Sequence, residues 1–196
     1  MDAPAPDRPL HPASEALFRA RTVLVFGEVT TALARAVTTQ LLALDAAGDD
    51  PIRLVVHSEG GHVEAGDTIH DVVRALRAPV DAIGTGWVAS AGALIYSAAE
   101  RERRFALPNT RFLLHQPLGG MRGPASDVEI EAAQIQRMRE RLNAIFARAT
   151  GRAAEQIARD TDRNLWMDAV EAQRYGLVGR IIARLEDVRA PSDPRR

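Results

Sequence analysis

Ser90 lies in the stretch GTGWVASAGA, where a strand-like run gives way to a helix rich in small residues. A junction of this kind exposes the hydroxyl and turns the following amides outward, so the N–H of Ala91 can donate to a developing oxyanion. A second donor requires a glycine turn at the end of a neighbouring strand, and HSEGGH offers Gly61. A base is found in RFLLHQPLGG, where His115 stands as the chain leaves an apolar strand, just before a proline and two glycines. That position can anchor an imidazole and still leave it partly open. Taken singly, Ser90 reads as a helix N-cap and Gly60–Gly61 as a tight turn. Their combination with a strand-end histidine points to acyl transfer through a serine nucleophile.

Absences narrow the chemistry further. The chain has no cysteine, which removes thiol nucleophiles, disulfides and thiolate metal sites. All 25 cationic residues are arginine, so a Ser–Lys dyad and a Schiff base are excluded and histidine is left as the base. Of the five histidines, His11 falls in a Pro-rich arm, and His57 would compete for the space of the glycine turn. His62 and His70, at the start of a helix and within it, read as surface or packing residues. No metal or other cofactor is expected. The formal net charge of −1, with acids and bases interspersed, gives no basic field for nucleic acid. No apolar run approaches the roughly 18 residues of a membrane span, and the N-terminus MDAPAPDRPLHPASEA lacks the basic and apolar regions of a signal peptide. A cytoplasmic location is expected.

The elements that position these residues follow from periodicity. TVLVFGEV (22–29), IRLVVHS (52–58) and VDAIGTGWV (80–88) read as strands. Helices are expected over 30–48, 63–78 and 90–99, and a strand pair over 103–117 with its turn at LPNT. The alternation argues for an α/β domain with mostly parallel pairing. Residues 127–150 form a long helix whose stripe, Val128, Ile135, Met138, Leu142, Ile145 and Phe146, is expected to project from so small a domain and pack on another subunit. A last helix, Ala169 to Tyr175, should open on a capping pair between Asp168 and Glu171 and close at Gly176. One domain is expected over 17–187, with a mobile arm at 1–16, a handle segment at about 118–150 and a polar tail at 188–196.

GWVASAGALIYSAA, RFALPNTRFLLHQPLGG and DTDRNLWMDAVEAQRYGLVGRII resemble the proteolytic subunit of the Clp protease, the ClpP family, and the likeness runs from about Phe18 to Ile182. The resemblance implies a ClpP/crotonase-type spiral of strand–strand–helix units with a projecting handle helix. It also implies two stacked heptameric rings, unfolded polypeptide as substrate and a Clp ATPase unfoldase ring as partner. By position, Ser90 resembles the family's nucleophile, His115 its base, and Gly61 and Ala91 its oxyanion-hole amides. Leu118, Gly119, Gly120 and Gly123 match the segment along which an extended peptide is laid as an added strand. Asp162 and Arg163 match positions that couple the ring-to-ring contact to the triad.

Asn164 departs from that pattern, because the family has an aspartate there. A carboxylate holds the imidazole in the correct tautomer and stabilises the imidazolium, whereas an amide brings no charge and can rotate to fix the wrong tautomer. Asp160 and Asp162 do not read as replacements. The expectation is therefore a serine endopeptidase subunit with weakened activity when alone. The alternative is a catalytically silent structural subunit of a mixed ring. A crotonase-like acyl-thioester enzyme shares the oxyanion geometry but has no need of Ser90 and His115. Glu59, standing where the family usually has proline, and His62 are further departures, and Trp87, three residues before Ser90, is expected to be core packing, with a narrowed peptide groove as the alternative.

Overall fold

The computed structural model describes residues 12–117 and 123–188. A single sheet organises them. Strands β1 (Thr22–Phe26), β2 (Ile52–Ser58) and β3 (Val80–Ala89) pair in parallel. The helices α2 (Thr31–Ala47), α3 (Val63–Ala75) and α4 (Ala91–Tyr96) follow these strands in turn and pack against one another. β1 and β2 alternate between buried and more open positions, whereas β3 is buried from Val80 through Gly84, where Ile83 packs with Phe105, Ile182 and Val188 in a second apolar cluster. Thr30 caps α2 by accepting a 3.1 Å hydrogen bond from the Leu33 N–H. Val25, Leu41, Ile52, Leu54 and Ile69 are fully buried at the centre.

The ten residues of β3 are shared between two partners. Ala82–Gly84 pair with β4 (Arg104–Ala106), and Trp87–Ala89 pair with β5 (Arg111–Leu114), both in parallel. The expected strand pair over 103–117 therefore exists as two strands that do not bond to each other. The LPNT turn forms, with a 3.0 Å bond from the Thr110 N–H to the Leu107 carbonyl, but it steps the chain from one half of β3 to the other. Two short elements complete the edges. β6 (Leu165–Asp168) is antiparallel to β5, and β7 (Arg180–Ile181) is parallel to β4. Neither is predicted from the sequence, because two to four residues carry too little alternation to be read.

The long helix α5 (Ala125–Thr150) has 26 residues and ends at Gly151 in the left-handed conformation. It is about 39 Å long at 1.5 Å per residue. Only its last turns reach the core: Leu142, Ile145 and Phe146 are buried, while Val128 and Ile130 are exposed. The projecting helix expected from the sequence is thus present, followed by a short helix α6 (Ala154–Asp160). The last helix α7 (Ala169–Tyr175) opens on the expected capping box of Asp168 and Glu171 and closes on left-handed Gly176. At the other end the structure differs from expectation, since Pro12–Arg19 form helix α1 and residues 12–16 are not an unstructured arm. Its apolar Leu17 and Phe18 line one depression together with Leu24, and Pro12 at the first helical position suits a helix start. Among the described residues no helix is long and apolar enough to cross a membrane.

Candidate active site

Ser90 caps α4 at the end of β3 with φ 55° and ψ −120°, a positive φ that side chains rarely adopt. Two backbone bonds hold it there: its N–H donates to the Leu113 carbonyl at 2.9 Å, and its carbonyl accepts from the Leu94 N–H at 3.1 Å. This sharp strand-to-helix turn lifts the hydroxyl out of the sheet. Its Oγ lies 2.8 Å from His115 Nε2. The Ala91 N–H, first of the helix, has no intrahelical acceptor.

Gly60 and Gly61 form the neighbouring turn. The Val29 N–H donates to the Gly60 carbonyl at 2.8 Å, the His62 N–H donates to the Val29 carbonyl at 2.9 Å, and the Gly60 N–H is taken by Ser58 Oγ at 3.1 Å. The Gly61 N–H is left without a protein acceptor among the described residues. Glycine is needed at both positions. A Cβ on Gly60 would lie 2.6 Å from the Ser90 Cβ, and one on Gly61 would lie 2.5 Å from the Val29 carbonyl oxygen. Their φ values of 104° and 150° are also strained for any other residue. Two unpaired backbone donors and a serine–histidine hydrogen bond are the parts that acyl transfer requires.

The β5–β6 ladder brings Asn164 to this site. Leu114 pairs with Leu165, so the next step places His115 opposite Asn164, and directly opposed residues of an antiparallel pair face the same side. The Asn164 side chain lies near enough to the imidazole to favour its protonated form. Burial lowers the His115 pKa below the usual imidazole value, and the Asn164 side chain acts in the opposite, raising sense. Asp162 and Arg163 line an open depression with His115, Gln116 and Asn164, but make no bond to the imidazole. Asp160 is held elsewhere, accepting from Tyr175 Oη at 2.8 Å and from Gln156 Nε2 at 2.5 Å. Asp168 is used as a helix cap. No carboxylate stands in for Asn164 among the described residues.

A narrow apolar cleft of about 20 Å³ opens beside Ser90 and His115, lined by Val63, Leu94, Leu114, Pro117, Leu142 and Phe146. Its last two walls come from the base of α5. The expected peptide-binding residues Leu118, Gly119 and Gly120 lie outside the described residues, and Gly123 is exposed just before α5. His57 fills a bulge in β3, where its Nδ1 accepts from the Trp87 N–H at 3.1 Å, and it does not reach Ser90. His62 is exposed at the start of α3, and His70 is buried beside Asp71. Trp87 is not core packing. It is 44% exposed and meets the Trp166 ring edge-on, 5.6 Å between centroids, because its position on β3 faces away from the helices. Sequence reasoning also misses Gln116, which bonds Asn143, Thr161 and Arg139.

A model of the Clp protease family matches residues 10–185. The ATP-dependent Clp protease proteolytic subunit 2 of Gluconobacter oxydans is 56% identical, with 92% of this chain and 86% of the relative covered. Subunit 3 of Rhizobium meliloti is 56% identical over 92% of this chain and 93% of its own length. Among solved structures, ClpP1 of Listeria monocytogenes superposes with a TM-score of 0.81 at 48% identity, and an asparagine-to-aspartate mutant of that protein with 0.84 at 49%. Each covers 90% of this chain and 99% of the solved chain.

Proposed function

The chain belongs to the Clp protease family, and from that premise we propose that it hydrolyses peptide bonds through an acyl-enzyme on Ser90. It is a proteolytic subunit of an ATP-dependent Clp protease, a serine-type endopeptidase. The observation that carries the assignment to particular residues is the 2.8 Å contact between Ser90 Oγ and His115 Nε2 beside two unpaired amides. In this reading His115 Nε2 takes the hydroxyl proton as Oγ attacks the scissile carbonyl, and the Gly61 and Ala91 N–H groups hold the oxyanion. The imidazolium returns the proton to the leaving amine, and a water repeats the cycle to release the acid. The cleft walled by Leu142 and Phe146 receives a compact apolar side chain before the scissile bond. The glycine-rich segment around Gly119, Gly120 and Gly123 pairs with the peptide backbone, so sequence demand is low.

The same reading gives α5 the task of meeting an opposite ring, with two seven-membered rings enclosing unfolded polypeptide delivered by a Clp ATPase in the cytoplasm. Exposed Val128 and Ile130 on the outer turns of α5 support such a contact. In this reading Asp162 and Arg163, exposed beside Asn164, pass that contact to the triad. A silent structural subunit is the weaker reading, because the serine–histidine bond is already formed in this chain.

The test is intact-mass analysis after exposure to a fluorophosphonate. Wild type should gain one adduct per chain and Ser90→Ala none. A wild-type chain that stays unmodified after assembly would refute the nucleophile assignment. The pH dependence adds a second check. His115 must be neutral to act as base, and burial disfavours its charged form, so the modification rate should fall only as pH drops through a value below the usual imidazole pKa of about 6.5. A rate profile centred above that value would contradict the burial argument.

A further inference from the structure

We propose that Gln116 is a positioning residue for the Ser90–His115 pair, an inference that rests on the function just given. The β5–β6 ladder ends at the Leu114–Leu165 pair, so His115 and Asn164 stand one step beyond it with no ladder pairing of their own. Gln116 closes that step with its backbone N–H and both ends of its side-chain amide. Its backbone N–H donates to the Thr161 carbonyl at 3.1 Å. Its side-chain Nε2 donates to Thr161 Oγ1 at 2.5 Å and to Asn143 Oδ1 at 3.2 Å, and its Oε1 accepts from Arg139 Nε at 3.1 Å.

These partners belong to two different elements. Arg139 and Asn143 are one turn apart on the inner part of α5, and so share a face of that helix. Thr161 ends α6, is only 2% exposed, and is pinned by donating to the Ile157 carbonyl at 2.7 Å. Asn164 lies three residues beyond it. One side chain therefore joins the residue after the base, the segment leading to the third triad position, and the projecting helix. A displacement of α5 must strain this junction before it reaches His115. An aspartate at position 164 would draw the imidazole in by charge, whereas Asn164 offers only a directional hydrogen bond. The alignment in this chain consequently leans on the Gln116 junction.

The experiment measures fluorophosphonate modification rates at Ser90 across reagent concentrations, with the assembled full chain. The variants are Gln116→Met and Gln116→Glu, each in the wild-type and Asn164→Asp backgrounds. Misplacing the base should lower the limiting rate of Gln116→Met about tenfold or more while leaving the half-saturating concentration unchanged. Gln116→Glu keeps the length and the Arg139 contact, Asn143 can turn its amide to donate, and the Thr161 hydroxyl can swing from the Ile157 carbonyl to donate to the new oxygen, so it should recover part of the rate. In the Asn164→Asp background the Gln116→Met penalty should shrink, because charge then supports the alignment. Thr161→Val, which removes one acceptor at constant shape, should shift the rate in the same direction if Gln116→Met does not assemble. An unchanged rate in Gln116→Met, or an equal penalty in both backgrounds, overturns the positioning role while leaving the function standing. Absence of any Ser90 adduct, with Asn164→Asp included, overturns the function and this inference together.

Discussion

Asn164→Asp is expected to accelerate modification of Ser90 and peptide hydrolysis, by as much as about 10⁴-fold, the reciprocal of what Asp→Asn costs in a serine protease of unrelated fold. The magnitude comes from charge created during the reaction. When His115 takes the serine proton an imidazolium forms in a half-buried site, and burial already disfavours that cation. An amide oxygen at Asn164 can accept the Nδ1–H and select the useful tautomer, but it offers no charge to the imidazolium. If the amide turns and donates its NH₂, Nδ1 becomes the acceptor and the proton moves to Nε2, where it blocks proton transfer from Ser90. The carboxylate removes both problems. It should also raise the His115 pKa, since an adjacent negative charge favours the protonated form, and so move the acid limb of the pH–rate profile upward from its wild-type position. Stopped-time intact-mass measurements across pH check both effects. A variant no faster than wild type, with the Ser90–His115 contact retained, would mean that the missing charge is not what limits this chain.

The geometry behind that expectation was partly open to sequence reasoning, and the reason differs from residue to residue. Ser90, His115 and Gly61 stand at strand ends beside turn-forming residues, so local composition places them at one edge of a parallel sheet. The helix ends at Asp168 and Gly176 were readable because capping follows from chemistry within four residues. β6 was not readable, although it sets Asn164 opposite His115. Its four residues LWMD depend on pairing with β5 across more than fifty positions of chain. The two partners of β3 were hidden for a similar reason, since a long strand divided between β4 and β5 looks locally like any strand followed by a hairpin. The exposure of Trp87 is hidden from the sequence because period two does not reveal which face a helix covers, and near the bulge at left-handed Gly86 the alternation itself shifts. Gln116 carries no periodic signal, and its importance lies entirely in residues from α5 and α6.

Gly61→Ala tests the oxyanion site independently of the triad, and about a hundredfold loss or more in peptide hydrolysis is expected, the usual cost of removing one oxyanion donor. Space and conformation both oppose the new methyl. An ideal Cβ there lies 2.5 Å from the Val29 carbonyl oxygen and 2.8 Å from the Val29 nitrogen, and those atoms are backbone with no free rotation to yield. The turn has to move, and its fixed points are the bonds from Val29 to Gly60 and from His62 to Val29. Moving it tilts the one N–H in the turn that has no protein acceptor. Ser90 and His115 are held by β3, β5 and α4, so their 2.8 Å contact should survive the change. The loss should therefore appear in the rate of acyl transfer at saturating peptide, with the pH profile left where His115 sets it. Combined with Asn164→Asp, the change should remove a similar factor again, because the donor acts on the carbonyl oxygen and the carboxylate acts on the imidazole. A double variant that loses nothing relative to Asn164→Asp would show that the Gly61 amide does not face the reacting carbonyl.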